Sequence, residues 1–167
     1  MQLSYLGISF QSPATTSSTQ KISSEQLLDR YAAGELDFAR VNLNESIIND
    51  VNLSLVNLRG ADLNGSVLKR VNLARANLSM ANLTGANLTE ADLSGANLVW
   101  ANLHNANLAG ADLTGANLTG ADLTGADLTG TTMPDGIVLS SHKPSKRSRD
   151  KFNLISKLIL RLFTKHH

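Results

Sequence analysis

Cysteine is absent from all 167 residues, which removes disulfides, thiolate metal sites and cysteine nucleophiles and is in keeping with a reducing compartment. Aromatic residues make up 4%, too few for the centre of an ordinary globular domain, although 42% hydrophobic residues suffice for a core lined by Leu and Ala. Residues 1–20 lack the basic start and sustained apolar run of a secretory signal. His104, His142, His166 and His167 show no ligand spacing, and neither a G-x-S-x-G turn nor a phosphate-cradling loop occurs. The reading is therefore a non-enzyme with no metal and no cofactor. A net charge of +1 conceals a split: residues 36–135 carry five basic and ten acidic groups, whereas residues 137–167 carry eight basic and one acidic.

What the chain does have is one phrase, Ala-(Asn/Asp)-Leu-x-x, repeated without insertion from Leu36-Asp37-Phe38-Ala39-Arg40 to Ala126-Asp127-Leu128-Thr129-Gly130. With the centre called i, nineteen consecutive units have Leu at i in all but Phe38 and Ile48, Asn or Asp at i−1 in seventeen, and Ala at i−2 in twelve. A period of five suits neither a helix, on which the leucines would scatter, nor a flat strand, on which they would alternate faces. If the chain turns a corner once per unit, i and i−2 share an axis while i−1, i+1 and i+2 face water. A narrow tube with room for one large side chain per unit then explains the small Ala at i−2.

The units resemble the pentapeptide-repeat proteins, whose small residue, Asn or Asp, Leu or Phe, and two variable positions are matched at Ala76-Asn77-Leu78, Ala111-Asp112-Leu113 and throughout. The resemblance implies an all-β solenoid, a right-handed quadrilateral β-helix with four units per coil. The sequence offers its own check on that number. The two units without Asn or Asp at i−1, Ser46–Asp50 and Ser66–Arg70, lie twenty residues apart, which would stack Ile47 on Val67. The same register stacks Asn57, Asn77, Asn97 and Asn117 into a ladder of side-chain amides. Nineteen units give about five coils, a rod of roughly 24 Å.

Taken in order, residues 1–22 read as a disordered leader rich in Ser and Thr. Residues 23–35 read as a capping helix, with Ser23 or Ser24 before it, Leu27, Leu28 and Tyr31 on one side and Gly34 behind; a solenoid end needs such a cover. Residues 36–136 form the β-helix, in which Leu36, Val41, Val51, Val56 and Val71 fill the lumen beside the lid, and Pro134 ends the ladder. Ile137-Val138-Leu139 either fold back over the last coil or leave it open for two copies to meet end to end, since the resemblance implies dimers of that kind. Residues 137–150 read as a basic linker. Residues 151–167 read as a basic amphipathic helix, in which Phe152, Ile155, Ile159, Leu162 and Phe163 form a stripe, Leu158 belongs to the same apolar run and Lys157, Arg161 and Lys165 face water. Twelve residues with two charges cannot span a bilayer, so this helix anchors at a membrane surface, docks on a partner or lids the rod.

Function must be written in the outward positions. Met80 and Trp100, twenty apart, stack beside Val99, with Arg59 on the same side and His104 around the corner. That composition is one of a protein interface. The bland alternative lays Trp100 flat over glycines of neighbouring coils. The acids at i−1, Asp92 over Asp112 among them, occupy the position that the repeat fills everywhere, so a structural row explains them before catalysis or calcium does. Thr at i+1 spreads over all four sides, which argues against a flat ice-binding array. The expected function is a non-catalytic scaffold for protein–protein interaction, with regulation as one form of that role and an unidentified protein partner. One alternative comes from the resemblance, which includes DNA-mimicking inhibitors of gyrase; another is a membrane-surface adaptor using the tail. Location is expected to be cytoplasmic, with the tail peripheral to the membrane, and nucleic-acid binding by the basic run lacks interleaved aromatics.

Overall fold

The structure, a computed structural model, describes residues 20–139. Parallel bridges join each i−1 residue to the one twenty positions on, from Asp37 with Asn57 to Asp112 with Thr132, so one coil is four units. Ile47 does pair with Val67. Each unit makes a short extended side and then a corner. In the unit around Leu78, the Leu78 amide donates to the Asn97 carbonyl at 2.8 Å and the Met80 amide to Val99 at 2.9 Å, while the Asn97 amide returns to Ala76 at 2.9 Å. The corner is closed by the Ala81 amide on the Leu78 carbonyl at 3.0 Å.

The lumen is the core. Leu78, Leu83, Leu88, Leu93, Leu98 and Leu103 are fully buried, and the alanines between them are almost as inaccessible. Each buried Leu contributes roughly 1.5–3 kcal/mol by leaving water, against the cost of ordering a chain with little else to bury. Leu36 departs from the expected filling: it is 45% exposed, because it stands at the entry edge with no earlier coil above it.

Asn and Asp at i−1 bond within the unit as well as between coils. In all seventeen such units the Oδ1 accepts the amide of residue i+1 in its own corner, as from Arg59 to Asn57 at 3.2 Å and Thr114 to Asp112 at 2.8 Å. These are Asx turns, and in some units the same oxygen also accepts from the next coil: Asn57 Nδ2 donates to Asp37 Oδ1 at 2.8 Å and Asn82 Nδ2 to Asp62 Oδ1 at 3.0 Å. Within the proposed ladder the described side-chain bond is Asn97 Nδ2 to Asn77 Oδ1, long at 3.4 Å. The unit with Val67 at i−1 shows what this oxygen does when it is missing: the Lys69 amide takes the Asn49 Oδ1 of the previous coil at 2.9 Å. Asn49→Ala should therefore cost about 1 kcal/mol, the worth of one such bond. Adding Val67→Asn to that variant should recover most of it, as read by chemical denaturation; no loss in the single variant would reject the assignment.

The expected leader ends earlier than residue 22. The Ile22 amide donates to the Asn42 carbonyl at 3.2 Å, the Asn42 amide to Gln20 at 2.9 Å, and Ile22 is buried, so residues 20–22 form a rung ahead of the first coil. The remainder of the leader lies outside the described residues. Helix α1, Ser24–Ala32, follows. Ser23 caps it, accepting from the Gln26 amide at 3.1 Å while the Gln26 side chain accepts from the Ser23 amide at 2.9 Å. Leu27 is fully buried in the core, and the Tyr31 hydroxyl donates to the Ser54 carbonyl at 3.1 Å. Arg30 pairs with Glu35 and lies 5.0 Å from the Phe38 ring centre. At the other end residues 137–139 turn back, with Val138 bridging Thr132 in antiparallel register and the Leu139 amide on the Thr131 carbonyl at 2.8 Å. The expected basic linker beyond residue 139 and the helix over 151–167, with Phe152, Ile155, Lys157, Leu158, Ile159, Arg161, Leu162 and Phe163, lie outside the described residues.

Candidate functional site

Position i+2 is the key to the surface. In all nineteen units it has φ between +52° and +73°, a left-handed conformation that glycine adopts without strain and other residues at a cost of about 1–2 kcal/mol. Nine of the nineteen are Gly. The other ten, Trp100 and Met80 among them, are held there by the corners of a rigid tube. Both i+1 and i+2 are turn residues, so Arg59, Met80, Val99 and Trp100 do not share a flat side. They run along one edge of the prism.

That edge has two layers. Met80 and Trp100 project to solvent, 56% and 63% exposed, and Val99 is half-buried beneath them. Register is fixed by the backbone: the Met80 amide donates to Val99 and the Trp100 amide to Thr119, both at 2.9 Å. The Arg59 guanidinium reaches the Met80 sulfur at 4.0 Å. Trp100 lies over Gly120 one coil on, where an added methyl would fall 2.7 Å from the indole Cδ2. The indole therefore has one face on glycine, as the blander sequence reading has it, and the rest in water. His104 stands at the next corner, half-buried, its amide on the Asn102 Oδ1 at 3.0 Å.

Besides Leu36, Ile137 and Val138 at the two ends, two exposed apolar residues were not part of the sequence-derived site. Leu55 is 59% exposed at the preceding corner, and Ile47 is exposed on another side. Neither joins the Trp100 edge. Leu55 carried a signal, being an aliphatic residue at i+2, but one such residue without a stacked neighbour makes no patch.

Charge is arranged for structure. Asp50 and Arg70 pair one coil apart, with Arg70 Nη2 on Asp50 Oδ2 at 2.8 Å; the Arg70 hydrogen bond holds the carboxyl below its usual range, but the pair is exposed. Asp122 and Asp127 are also lowered, chiefly by the Thr124 and Thr129 hydroxyls and then by the same residues' amides. These are the Asx corners again. Among the described residues no cluster of three His, Asp or Glu could hold a metal ion, and no helix is long and apolar enough to cross a membrane.

The family model for pentapeptide repeats matches residues 37–73, 66–105 and 96–133 in eight copies. Among solved structures, HetL of the cyanobacterium Nostoc sp. strain PCC 7120, a pentapeptide repeat protein involved in heterocyst differentiation regulation, is 35% identical, with 61% of this chain and 53% of HetL covered and a TM-score of 0.47. The chain thus spans about half the length of HetL. The pentapeptide repeat protein Rfr23 of the cyanobacterium Cyanothece 51142 is 28% identical over 71% of this chain and 100% of its own, with a TM-score of 0.49. A pentapeptide repeat protein of the Arabidopsis thaliana thylakoid lumen is 28% identical over 71% and 84%, with a TM-score of 0.38. No curated protein matches the sequence.

Proposed function

The chain belongs to the pentapeptide-repeat family of right-handed quadrilateral β-helices, and from that premise we propose that it is a non-catalytic scaffold that binds a protein partner along the Arg59, Met80, Val99, Trp100 edge. One observation carries the reading. A tryptophan occupies a left-handed corner where the repeat otherwise favours glycine, and 63% of it remains in water. Strain held at an exposed aromatic is common at binding sites, and Trp, Met and Arg are the residue types enriched in interface centres. The neighbouring Met80 supplies an adaptable apolar contact, and Arg59 a charged rim.

The corner makes a clean test available. Trp100→Gly and Met80→Gly restore the residue most compatible with the local φ, so the fold should melt within a few degrees of wild type. The partner is to be isolated on full-length protein from native lysate, identified and purified. Its affinity for the double variant should then fall at least about thirtyfold, corresponding to the 2 kcal/mol or more that defines a hot spot. Equal affinities at equal melting temperature would remove the edge from the interface.

A second reading, mimicry of nucleic acid, is favoured by one feature. Residues 76–139 carry six acidic groups, Glu90, Asp92, Asp112, Asp122, Asp127 and Asp135, and no Lys or Arg. All five basic residues of the repeat region lie between Arg40 and Arg75, which leaves only the later coils uniformly negative. A supercoiling assay with DNA gyrase discriminates: inhibition that survives Trp100→Gly but is lost on Asp112→Asn with Asp122→Asn supports mimicry over the edge.

A further inference from the structure

One side of the prism differs from the other three. It is built from residues 56–58, 76–78, 96–98 and 116–118, and it is bounded by the corner that carries Arg59, Met80 and Trp100 and by the one that carries Leu55 and Arg75. None of the ten acidic groups of residues 36–135 falls within residues 54–60, 74–80, 94–100 or 114–120, whereas Asp62, Asp92 and Asp127 stand at the centres of the other three sides. Two basic groups do fall there, Arg59 and Arg75. Arg30 and Arg70 are tied to Glu35 and Asp50, but Arg59 and Arg75 have no ion pair among the described residues, and both are exposed. Arg75 leans along its corner, its Cγ 3.4 Å from where a methyl on Gly95 would stand one coil on. On a repeat region with twice as many acidic as basic groups, this is the side that an anionic group can approach.

The neutral polar groups on this side point the same way. Its centre is the row Asn57, Asn77, Asn97 and Asn117, and each Oδ1 accepts the amide of its own corner. That leaves the Nδ2 groups. Asn57 gives its Nδ2 to Asp37 at 2.8 Å and Asn97 makes only a long bond of 3.4 Å to Asn77, while those of Asn77 and Asn117 have no acceptor among the described residues. On this row donors are left over and acceptors are spent, and the two guanidinium groups add further donors and no acceptor. Such a surface matches a ligand rich in acceptors. We propose that this side receives an acidic segment of the protein partner, with carboxylates on Arg59, Arg75 and the Asn77 side-chain amide and one large apolar side chain on Met80 and Trp100. The inference rests on the Trp100 edge being an interface, and it adds the sign of the partner's charge and the second edge of the footprint. Acids on the other three sides repel the same segment, which fixes the side on which it lands.

Trp100 is the chain's single tryptophan, so its emission reports contact at the edge in the full-length protein. Random peptides displayed on phage are panned on that protein, and the most enriched sequence is synthesised and titrated. The expected peptide is rich in Asp and Glu with at least one large apolar residue, and its binding shifts the indole emission to the blue. Arg59→Gln with Arg75→Gln should weaken it about tenfold, as two exposed ion pairs are worth, and flatten its salt dependence. Lys69→Gln, on another corner, should change neither. Panning that enriches only basic or neutral peptides, or none, overturns the acidic partner; such peptides, if released by Trp100→Gly, still leave the edge an interface. Acidic peptides that keep their affinity in Trp100→Gly with Met80→Gly overturn the proposal and the edge together. Equal weakening by Lys69→Gln overturns the proposal too, since the peptide would then sense only the charge of the whole rod. So does an oligothymidylate strand that displaces the peptide, because it assigns this side to phosphate.

Discussion

Leu88→Asp is expected to destroy the fold, with loss of both the β-type circular dichroism and the cooperative melting transition. Leu88 is fully buried, stacked in its column between Leu68 and Leu108, and its surroundings in the lumen are leucines and alanines. Truncation alone, as in Leu88→Ala, would cost about 2–5 kcal/mol through lost transfer energy and a cavity that the rigid coils cannot close. The aspartate adds a carboxyl group that must be buried without a partner, at several kcal/mol even when protonated. The sum reaches the whole margin of a domain this size, about 5–15 kcal/mol. Because each coil is stabilised chiefly by its neighbours, a lesion in the middle also uncouples the two halves. Leu55→Asp is the control: it makes the same chemical change at an exposed corner and should leave the melting temperature within a few degrees. A Leu88→Asp variant that retained its spectrum and transition would contradict a lumen packed by the repeat leucines.

Which features were legible from sequence follows from what kind of interaction made them. Burial is a side-chain property, so the letters announce it: Leu at i, Ala at i−2 and the twenty-residue register of Ser46 with Ser66 all mark the interior and its period. The corner is a backbone property, and the letters carry it only indirectly. Gly recurs at i+2, and the ten exceptions were visible as such, but spacing does not reveal that φ is positive there, and so does not reveal that Trp100 occupies a strained position. The same limit applies to Asn and Asp at i−1, where the period fixes the place and not the partner. A ladder between coils and a turn within the unit predict the same letters; the structure has the turn in all seventeen units and the bond between coils at Asn57 with Asp37, Asn82 with Asp62 and Asn97 with Asn77. The rung at residues 20–22 was hidden for a related reason, since it is held by backbone bonds and carries no repeat letters. For the candidate site, the sequence named Met80, Val99, Trp100 and Arg59, and the structure puts these on one edge while setting His104 at the next corner.

Gly120→Val should be clearly more destabilising than Gly115→Val, and the difference should disappear when Trp100 is removed. The two glycines are matched. Both occupy i+2 in the last coil with φ of +68°, so a β-branched residue meets the same backbone strain at each, about 1–2 kcal/mol. They differ in what lies above them: a side chain at Gly115 enters open space, whereas one at Gly120 enters the indole of Trp100. Displacing that ring costs its contact with the coil, so the Gly120 variant should lose a further 1 kcal/mol or so, about the coupling expected between touching residues. In a Trp100→Gly background the two valines should cost the same. Denaturant midpoints for wild type and five variants complete the cycle. Equal losses at Gly115 and Gly120 in the wild-type background would mean that the indole is not seated on the wall. The outcome bears on function as well as packing, because a ring seated on glycine is oriented before any partner arrives. A partner that meets an already fixed indole loses less side-chain freedom on binding, roughly 0.5–1.5 kcal/mol for one immobilised side chain. Gly120→Val should therefore weaken partner binding by up to about tenfold while leaving every residue of the edge in place, and Gly115→Val should leave binding unchanged.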